Sequence, residues 1–231
     1  MRSTTLVLLR HGSSIANEGR CFGGWDDVPL AESGVAQARL AGEQLKELNL
    51  QLDLCVTSVL RRAIWTAWHC LDTLGQPWMR TAADWRLNER HYGALQGMKK
   101  AEAAAIYGAE QVHRWRRGFN DRPPLLLPGD LRDSFGAPPY AGLSREEVPM
   151  GESLQDTQSR VLAYWHTVVR PALQRGRGVL VVAHGNSIRA LLMELEHLNA
   201  QEIASVEVAN GVPIVFDAQA GTTEFVRRNS R

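Results

Sequence analysis

Two apolar runs, separated by most of the chain, end in the same way. Thr5-Leu6-Val7-Leu8-Leu9 leads into Arg10-His11-Gly12, and Val179-Leu180-Val181-Val182-Ala183 leads into His184-Gly185-Asn186. Short continuous runs of Leu and Val predict buried strands. In open α/β sheets, ligands bind outside the carboxyl ends of the strands. Two strands that each deliver a His-Gly pair there predict one shared site at His11 and His184. A lone strand-end histidine is more often structural. The repeat, with Arg10 beside it, is what points to chemistry.

The remaining chain alternates between the two periodicities. Ser33 reads as an N-cap, with Ala38, Ala41, Leu45 and Leu48 on one helical face. Residues 52–57 read as a strand. Ser58 opens the next helix, with Ile64, Trp68 and Leu71 on its inner side and Arg61 and Arg62 in its first turn. Residues 78–81 predict a short strand, and a helical stretch starts at Lys99. Pro123, Pro124, Pro128, Pro138, Pro139 and Pro149 then break up residues 120–149. An irregular excursion of that length inside a compact domain is often a lid.

Glu152 and Ser153 begin another helix, with Val161, Trp165 and Val168 inward and Pro171 kinking or ending it. Residues 187–198 read as a helix after the second His-Gly strand. Residues 212–217 and 223–228 predict a hairpin, with Pro213 marking an edge strand. The expected fold is α/β: a single three-layer domain over residues 1–231, a mostly parallel sheet with helices on both faces, and an irregular lid insertion at about 120–150.

Composition limits the partners. The chain has 231 residues, 44% of them hydrophobic, enough for one large core. Net charge is +1, so anion binding must come from a local cluster rather than the overall field. Three cysteines, an odd number and not closely paired, fit a reducing compartment and no disulfide framework. No clustered Cys/His spacing predicts a metal site. No signal-peptide pattern and no apolar stretch near the roughly 20 residues of a membrane span are present. A soluble cytoplasmic protein, without membrane or nucleic-acid partners, is the expectation.

Local cations are plentiful. Arg61 and Arg62 sit where the helix macrodipole disfavours cations, which points to an anion, the alternative being a solvated basic face. His113-Arg114-Trp115-Arg116-Arg117 is the most basic segment. One short cluster in a nearly neutral chain favours a small phosphorylated ligand over nucleic acid. Gly23-Gly24 allows backbone to approach a ligand, and residues 13–19 can form a short helix whose free N–H groups favour an anion. Arginine forks suit phosphoryl oxygens, and flanking arginines keep an imidazole neutral and nucleophilic. Phosphoryl transfer then needs a proton donor, for which Glu89 is the best candidate.

Leu9-Arg10-His11-Gly12 is the signature of the histidine phosphatase superfamily. Residues 57–64, Leu87-Asn88-Glu89-Arg90-His91-Tyr92-Gly93-Ala94-Leu95-Gln96-Gly97, residues 110–112 with 115–119, and residues 183–191 resemble the cofactor-dependent phosphoglycerate mutases. The resemblance covers about residues 6–216. It implies interconversion of 3- and 2-phosphoglycerate, primed by 2,3-bisphosphoglycerate, without a metal. His11 would carry the phosphoryl group, Glu89 would be the acid and base, and His184, Arg10 and Arg62 would stabilise the transfer. Asn17, Gly23, Gly24, Arg90, Tyr92, Lys100, Arg116, Arg117, Gly185 and Asn186 would bind phosphate and carboxylate. It also implies a homodimer or a dimer of dimers.

The chain departs from the family pattern at the substrate mouth. Ser13 replaces a glutamate, Glu18 a lysine, Cys21 an arginine and Gly23 a threonine, and Pro139-Tyr140 stands where the family has Arg-Tyr. Retuned substrate preference is therefore one expectation. A phosphatase for a small phosphate ester and a non-catalytic binding protein are the competing readings.

Overall fold

The two apolar runs lie side by side. In the computed structural model, which describes residues 3–219 and 224–228, strand β1 (Ser3–Arg10) pairs in parallel with β4 (Val179–Ala183). Their register runs from Leu6 opposite Val179 to Arg10 opposite Ala183. Strands β2 (Leu54–Thr57) and β3 (Thr81–Ala83) extend the sheet in parallel beyond β4. Strands β5 (Pro213–Gln219) and β6 (Val226–Arg227) extend it antiparallel beyond β1. The order is β3-β2-β4-β1-β5-β6, a mixed and mostly parallel sheet.

Helices cover both faces, as continuous apolar strands require. Leu6, Leu8, Val179 and Val181 pack under α6 (Leu154–Tyr164), α7 (Arg170–Gln174) and α8 (Gly185–Leu195). Beyond the short α1 (Ile15–Glu18), Val7, Leu9, Leu180 and Val182 pack under α2 (Glu32–Glu47) and α3 (Arg61–Leu74). Leu6 to Leu9 are wholly buried. At about 1.5–3 kcal/mol for each fully buried apolar side chain, this strand anchors whatever stands at its end. The molecule is one α/β domain with three layers. Among the described residues no helix is long and apolar enough to cross a membrane.

Several local expectations are corrected. Helix α2 starts at Glu32 after Ala31, and Ser33 lies inside it, its hydroxyl donating to Glu18. Leu48 is its exposed C-cap. Helix α3 starts at Arg61, and Ser58 is drawn instead to His184. Leu71 faces inward, but Ile64 and Trp68 face outward. The path through Pro171 stays helical, because a π-wound turn over Trp165–Val169 widens the ladder just before the proline ring. Val169 is turned fully into the core, and Val168 packs against it half-buried. Strand β5 is internal, and Pro213 is tolerated as its first residue. The hairpin turn at 220–223 lies outside the described residues.

Helices α4 (Lys100–Tyr107) and α5 (Ala109–Arg117) form a separate flap with its own small core of Phe22, Leu95, Ala103, Val112 and Trp115. Residues 120–150 are irregular apart from short 3-10 turns at Pro138–Tyr140 and Arg145–Glu147. They dock on Trp25 through Tyr140 and Val148. Arg132 fastens them to the carbonyls of Ala94 and Gln96.

Candidate active site

An open crevice of about 450 Å³, part of it solvent space, lies at the carboxyl ends of β1 and β4. Its lining includes Arg10, His11, Asn17, Arg62, Glu89, Tyr92 and Lys100, with Cys21, Gly23 and Gly24 at its mouth. Gly12 lets this turn form. A Cβ there would stand 2.1 Å from the Gly34 carbonyl oxygen, so α2 presses directly on the backbone after His11. The Gly12 N–H donates to Thr66 Oγ1, tying the turn to α3 as well.

The two histidines have different duties. His11 Nδ1 lies 2.6 Å from the Gly12 carbonyl, which can only accept, so Nδ1 carries the proton and Nε2 keeps its lone pair. Burial, then Arg62 and Arg10, hold the His11 pKa well below 6.5. His184 Nε2 lies 2.7 Å from Ser58 Oγ. That hydroxyl accepts from the Leu60 N–H and has its own proton to give; where it donates to Nε2, His184 carries its proton on Nδ1. Nδ1 is buried without a hydrogen-bond partner. Burial and then Arg62 lower the His184 pKa far below its ordinary value too. The site therefore offers one neutral imidazole lone pair beside one unsatisfied imidazole N–H.

Glu89 arrives on an irregular segment after the 3-10 turn at Trp85–Leu87. Its Oε1 accepts from the Arg90 N–H at 2.8 Å, the Asn186 N–H at 3.1 Å and Asn186 Nδ2 at 2.9 Å. Its Oε2 has no such partner among the described residues and lies near Gly185, beside Arg10. One oxygen is fixed and the other is left for a proton.

The cations form two sets. Arg62 is buried, and its Nη1 and Nη2 donate to the carbonyls of Asp26 and Gly24. Arg10 Nη1 donates to the Val208 carbonyl, and its buried Nε is unpartnered. Tyr92 Oη accepts from Arg90 Nη2 and Asn186 Nδ2, leaving its own hydrogen to give. Burial alone would raise the Tyr92 pKa, but Arg90 and these donors outweigh it and lower it. Lys100 is lowered by burial and then by Arg116.

Among the other sequence candidates, Gly185 opens α8 behind His184, and Asn186 bridges Glu89 and Tyr92. Arg90 is wholly buried over the Tyr92 ring, with Nε and Nη1 unpartnered. Arg116 and Arg117 do not line the crevice, and Arg117 pairs with Glu207. Neither Ser13 nor Glu18 lines it; the Ser13 N–H binds Gln37 and Glu18 binds Ser33. Gly24 has φ +53° and faces Gln96, so a protein neighbour already demands glycine there. Sequence reasoning missed Ser14, which lines the crevice and caps Asn17, and Ser58, read only as a helix start. No local pattern marks either role. Among the described residues no group of three or more His, Cys, Asp or Glu side chains could hold a metal ion. None of residues 120–150 lines the crevice.

Comparison with known proteins gives a consistent picture. The family profile described as the histidine phosphatase superfamily (branch 1) matches residues 6–134 and 130–231. The structure superposes on a mycobacterial hydrolase (hydrolase 1) at 27% identity and a TM-score of 0.72, covering 99% of this chain and 98% of that one. It superposes on mycobacterial glucosyl-3-phosphoglycerate phosphatase in complex with VO3 at 25% identity and a TM-score of 0.71, covering 98% of each. A phosphoglycerate mutase from Bacillus anthracis is similar in fold, at 23% identity and a TM-score of 0.69, over 99% of this chain and 93% of that one.

Proposed function

The chain belongs to the histidine phosphatase superfamily (branch 1), and from that premise we propose that it is a phosphoglycerate mutase. It interconverts 3- and 2-phosphoglycerate through a phosphohistidine at His11. The observation that carries this reading is the cationic lining of one crevice: Arg10, Arg62 and Lys100 stand in it with His11 and Tyr92. A ligand with a phosphate and a second anionic group, such as a phosphorylated carboxylate, suits three cations and a phenol around one nucleophile.

The chemistry follows from the atoms. Arg10 and Arg62 hold the phosphoryl oxygens, with the unpartnered His184 Nδ1–H as a third donor. With His11 phosphorylated, Glu89 Oε2 takes a proton from the free hydroxyl of 3-phosphoglycerate as that oxygen attacks phosphorus and the P–N bond breaks, which leaves the bisphosphate. In the return step His11 Nε2 attacks the other phosphate, so a P–N bond forms as that P–O ester bond breaks. Glu89 Oε2 gives its proton back to the departing oxygen, and 2-phosphoglycerate leaves. Most of the acceleration comes from positioning and charge compensation, as phosphoryl transfer requires. The unsatisfied buried donors at Arg10 and His184 fit the phosphoryl groups of 2,3-bisphosphoglycerate, which would supply the first phosphoryl group to His11.

A phosphatase acting on a small phosphate ester is the second reading. The 25% identical phosphatase and the absence of residues 120–150 from the crevice lining favour it, since water then has access to the phosphohistidine. The deciding experiment is product analysis on 2,3-bisphosphoglycerate and 3-phosphoglycerate. A mutase exchanges phosphoryl positions with little inorganic phosphate; a phosphatase releases phosphate stoichiometrically. An acid-labile gain of about 80 Da, one phosphoryl group, marks the covalent intermediate. No gain in the wild type, or an unchanged gain in His11→Ala, rejects both readings and leaves a binding protein.

The homodimer belongs to the same proposal. Trp65 and Trp68 on α3 are half-exposed and touch each other edge to face, and Trp78 stands out at 79% exposure. An apolar surface of this kind suits a second copy of the chain.

A further inference from the structure

The peptide group between Glu89 and Arg90 has both its polar atoms committed. Its N–H donates to Glu89's own Oε1 at 2.8 Å. Its carbonyl accepts from Trp25 Nε1 at 2.7 Å and from Arg160 Nη2 at 2.9 Å. A peptide is planar, so donors that fix the carbonyl also fix the direction of the N–H. That N–H is one of the three that tie down Oε1. The carbonyl is thus a handle on the carboxylate.

Arg160 is fixed in turn. It is buried on α6, and its Nε and Nη2 donate to the two oxygens of Glu152 at 2.7 and 2.8 Å. Its Nη1 donates to the carbonyls of Arg86 at 2.8 Å and Asn88 at 2.9 Å. Glu152 is buried too, and its Oε2 also accepts the His91 N–H at 2.7 Å. The Glu152 N–H closes the loop on the His91 carbonyl. Trp25, the other donor to the Glu89 carbonyl, stacks on Tyr140 at 4.9 Å with planes 22° apart. The irregular excursion therefore supports Glu89 from behind through Tyr140, and Glu152 does so just past its end.

A structural staple would need only to tie α6 to the 86–91 segment. Here one guanidinium N–H goes to the carbonyl whose peptide holds the Glu89 carboxylate. We propose that Arg160, oriented by Glu152, is a positioning residue for proton transfer. It sets the Glu89–Arg90 peptide plane so that Oε1 is held and Oε2 is presented to the departing oxygen. The role rests on the phosphohistidine reading above. Arg160 touches neither the crevice nor the substrate.

The test uses two phosphoryl donors that differ in their need for a proton. The alkoxide leaving 2,3-bisphosphoglycerate must be protonated; the phenolate leaving p-nitrophenyl phosphate need not be. Phosphorylation of His11 is measured in single turnovers for the wild type, Arg160→Lys and the double variant Arg160→Met/Glu152→Gln. The double variant leaves no buried charge unpaired, and Arg160→Lys keeps the charge but loses the fork. Thermal unfolding reports whether each is folded. The expected result is a loss on the order of tenfold or more with 2,3-bisphosphoglycerate, half-saturation within about twofold, and p-nitrophenyl phosphate within about twofold. Glu89→Gln should show the same selectivity. Equal slowing with both donors, or no slowing, in a folded variant overturns the positioning role alone. No adduct from either donor in the wild type overturns the phosphohistidine reading and this role with it.

Discussion

His11 and His184 stand one residue beyond the last register pair of β1 and β4, Arg10 opposite Ala183. Their ring centroids are 4.9 Å apart and their planes are tilted by 59°. The register makes these two parallel strands end level, so two copies of the same short pattern arrive at one height, with His11 on the crevice wall and the buried His184 packed against it. The copies are then made unequal by what lies behind them: the Gly12 carbonyl for His11 and the Ser58 hydroxyl for His184.

That inequality predicts distinct losses. His11→Ala should form no acid-labile adduct at all. Glu89→Gln should retain folding and lose on the order of 10²–10⁴ in kcat, the usual contribution of a positioned acid or base. Steady-state kinetics and intact-mass measurement on the same preparations check both, and ordinary turnover by His11→Ala would remove the nucleophile assignment.

Stability should fall on mild acidification. His11 and His184 are held well below 6.5 by burial and then by Arg62, and burial brings His91 to about 3. In the unfolded chain they titrate near 6.5. Their contribution is therefore complete above pH 6.5 and is lost as pH falls below it, because the unfolded state takes up protons that the fold refuses. Urea midpoints measured from pH 7.5 to 5 should decline, and the decline should be shallower in His184→Gln. A flat or rising series would contradict the buried neutral histidines.

Two glycines should respond oppositely. Gly12→Ala places a Cβ 2.1 Å from the Gly34 oxygen, with backbone on both sides, and should cost on the order of 3 kcal/mol or more. At Gly23 a Cβ meets only the Ala16 Cβ at 3.6 Å, an ordinary contact. Gly23→Thr should fold normally and put a hydroxyl at the crevice mouth. A hydrogen bond to a charged group contributes about 1.5–3 kcal/mol, so KM for 3-phosphoglycerate should drop on the order of tenfold or more. An unchanged KM would show that position 23 does not reach the bound phosphate.

The exposed tryptophans predict self-association. Trp65→Glu/Trp68→Glu should sediment as a monomer at concentrations where the wild type is a dimer. A wild-type monomer throughout the micromolar range would dispose of the dimer.

The sheet was legible because its signals are local. Unbroken runs such as residues 179–183 can be buried only between two helical layers, whatever follows them. The paired His-Gly motifs and Arg62 were legible for a similar reason: each stands at the end or start of a regular element, where direction is set by the backbone. Arg117 was not. It lies in the basic segment that pointed to the crevice, yet Glu207, ninety residues later, takes its guanidinium. Helix starts at Ser33 and Ser58 misled because both hydroxyls found partners outside their own turn.

By itself, the sequence determined that the central strands are buried, which of them carry histidines and what chemistry those side chains allow. Only the tertiary structure decided which ring nitrogen of each histidine is free, which Glu89 oxygen faces a ligand and which arginines reach the crevice. The physical reason is range. Burial follows from the apolarity of a few neighbouring residues, whereas a proton's location and a side chain's direction follow from hydrogen-bond partners such as Ser58 for His184 and Arg160 for Glu89, brought within 3 Å only by the folded chain.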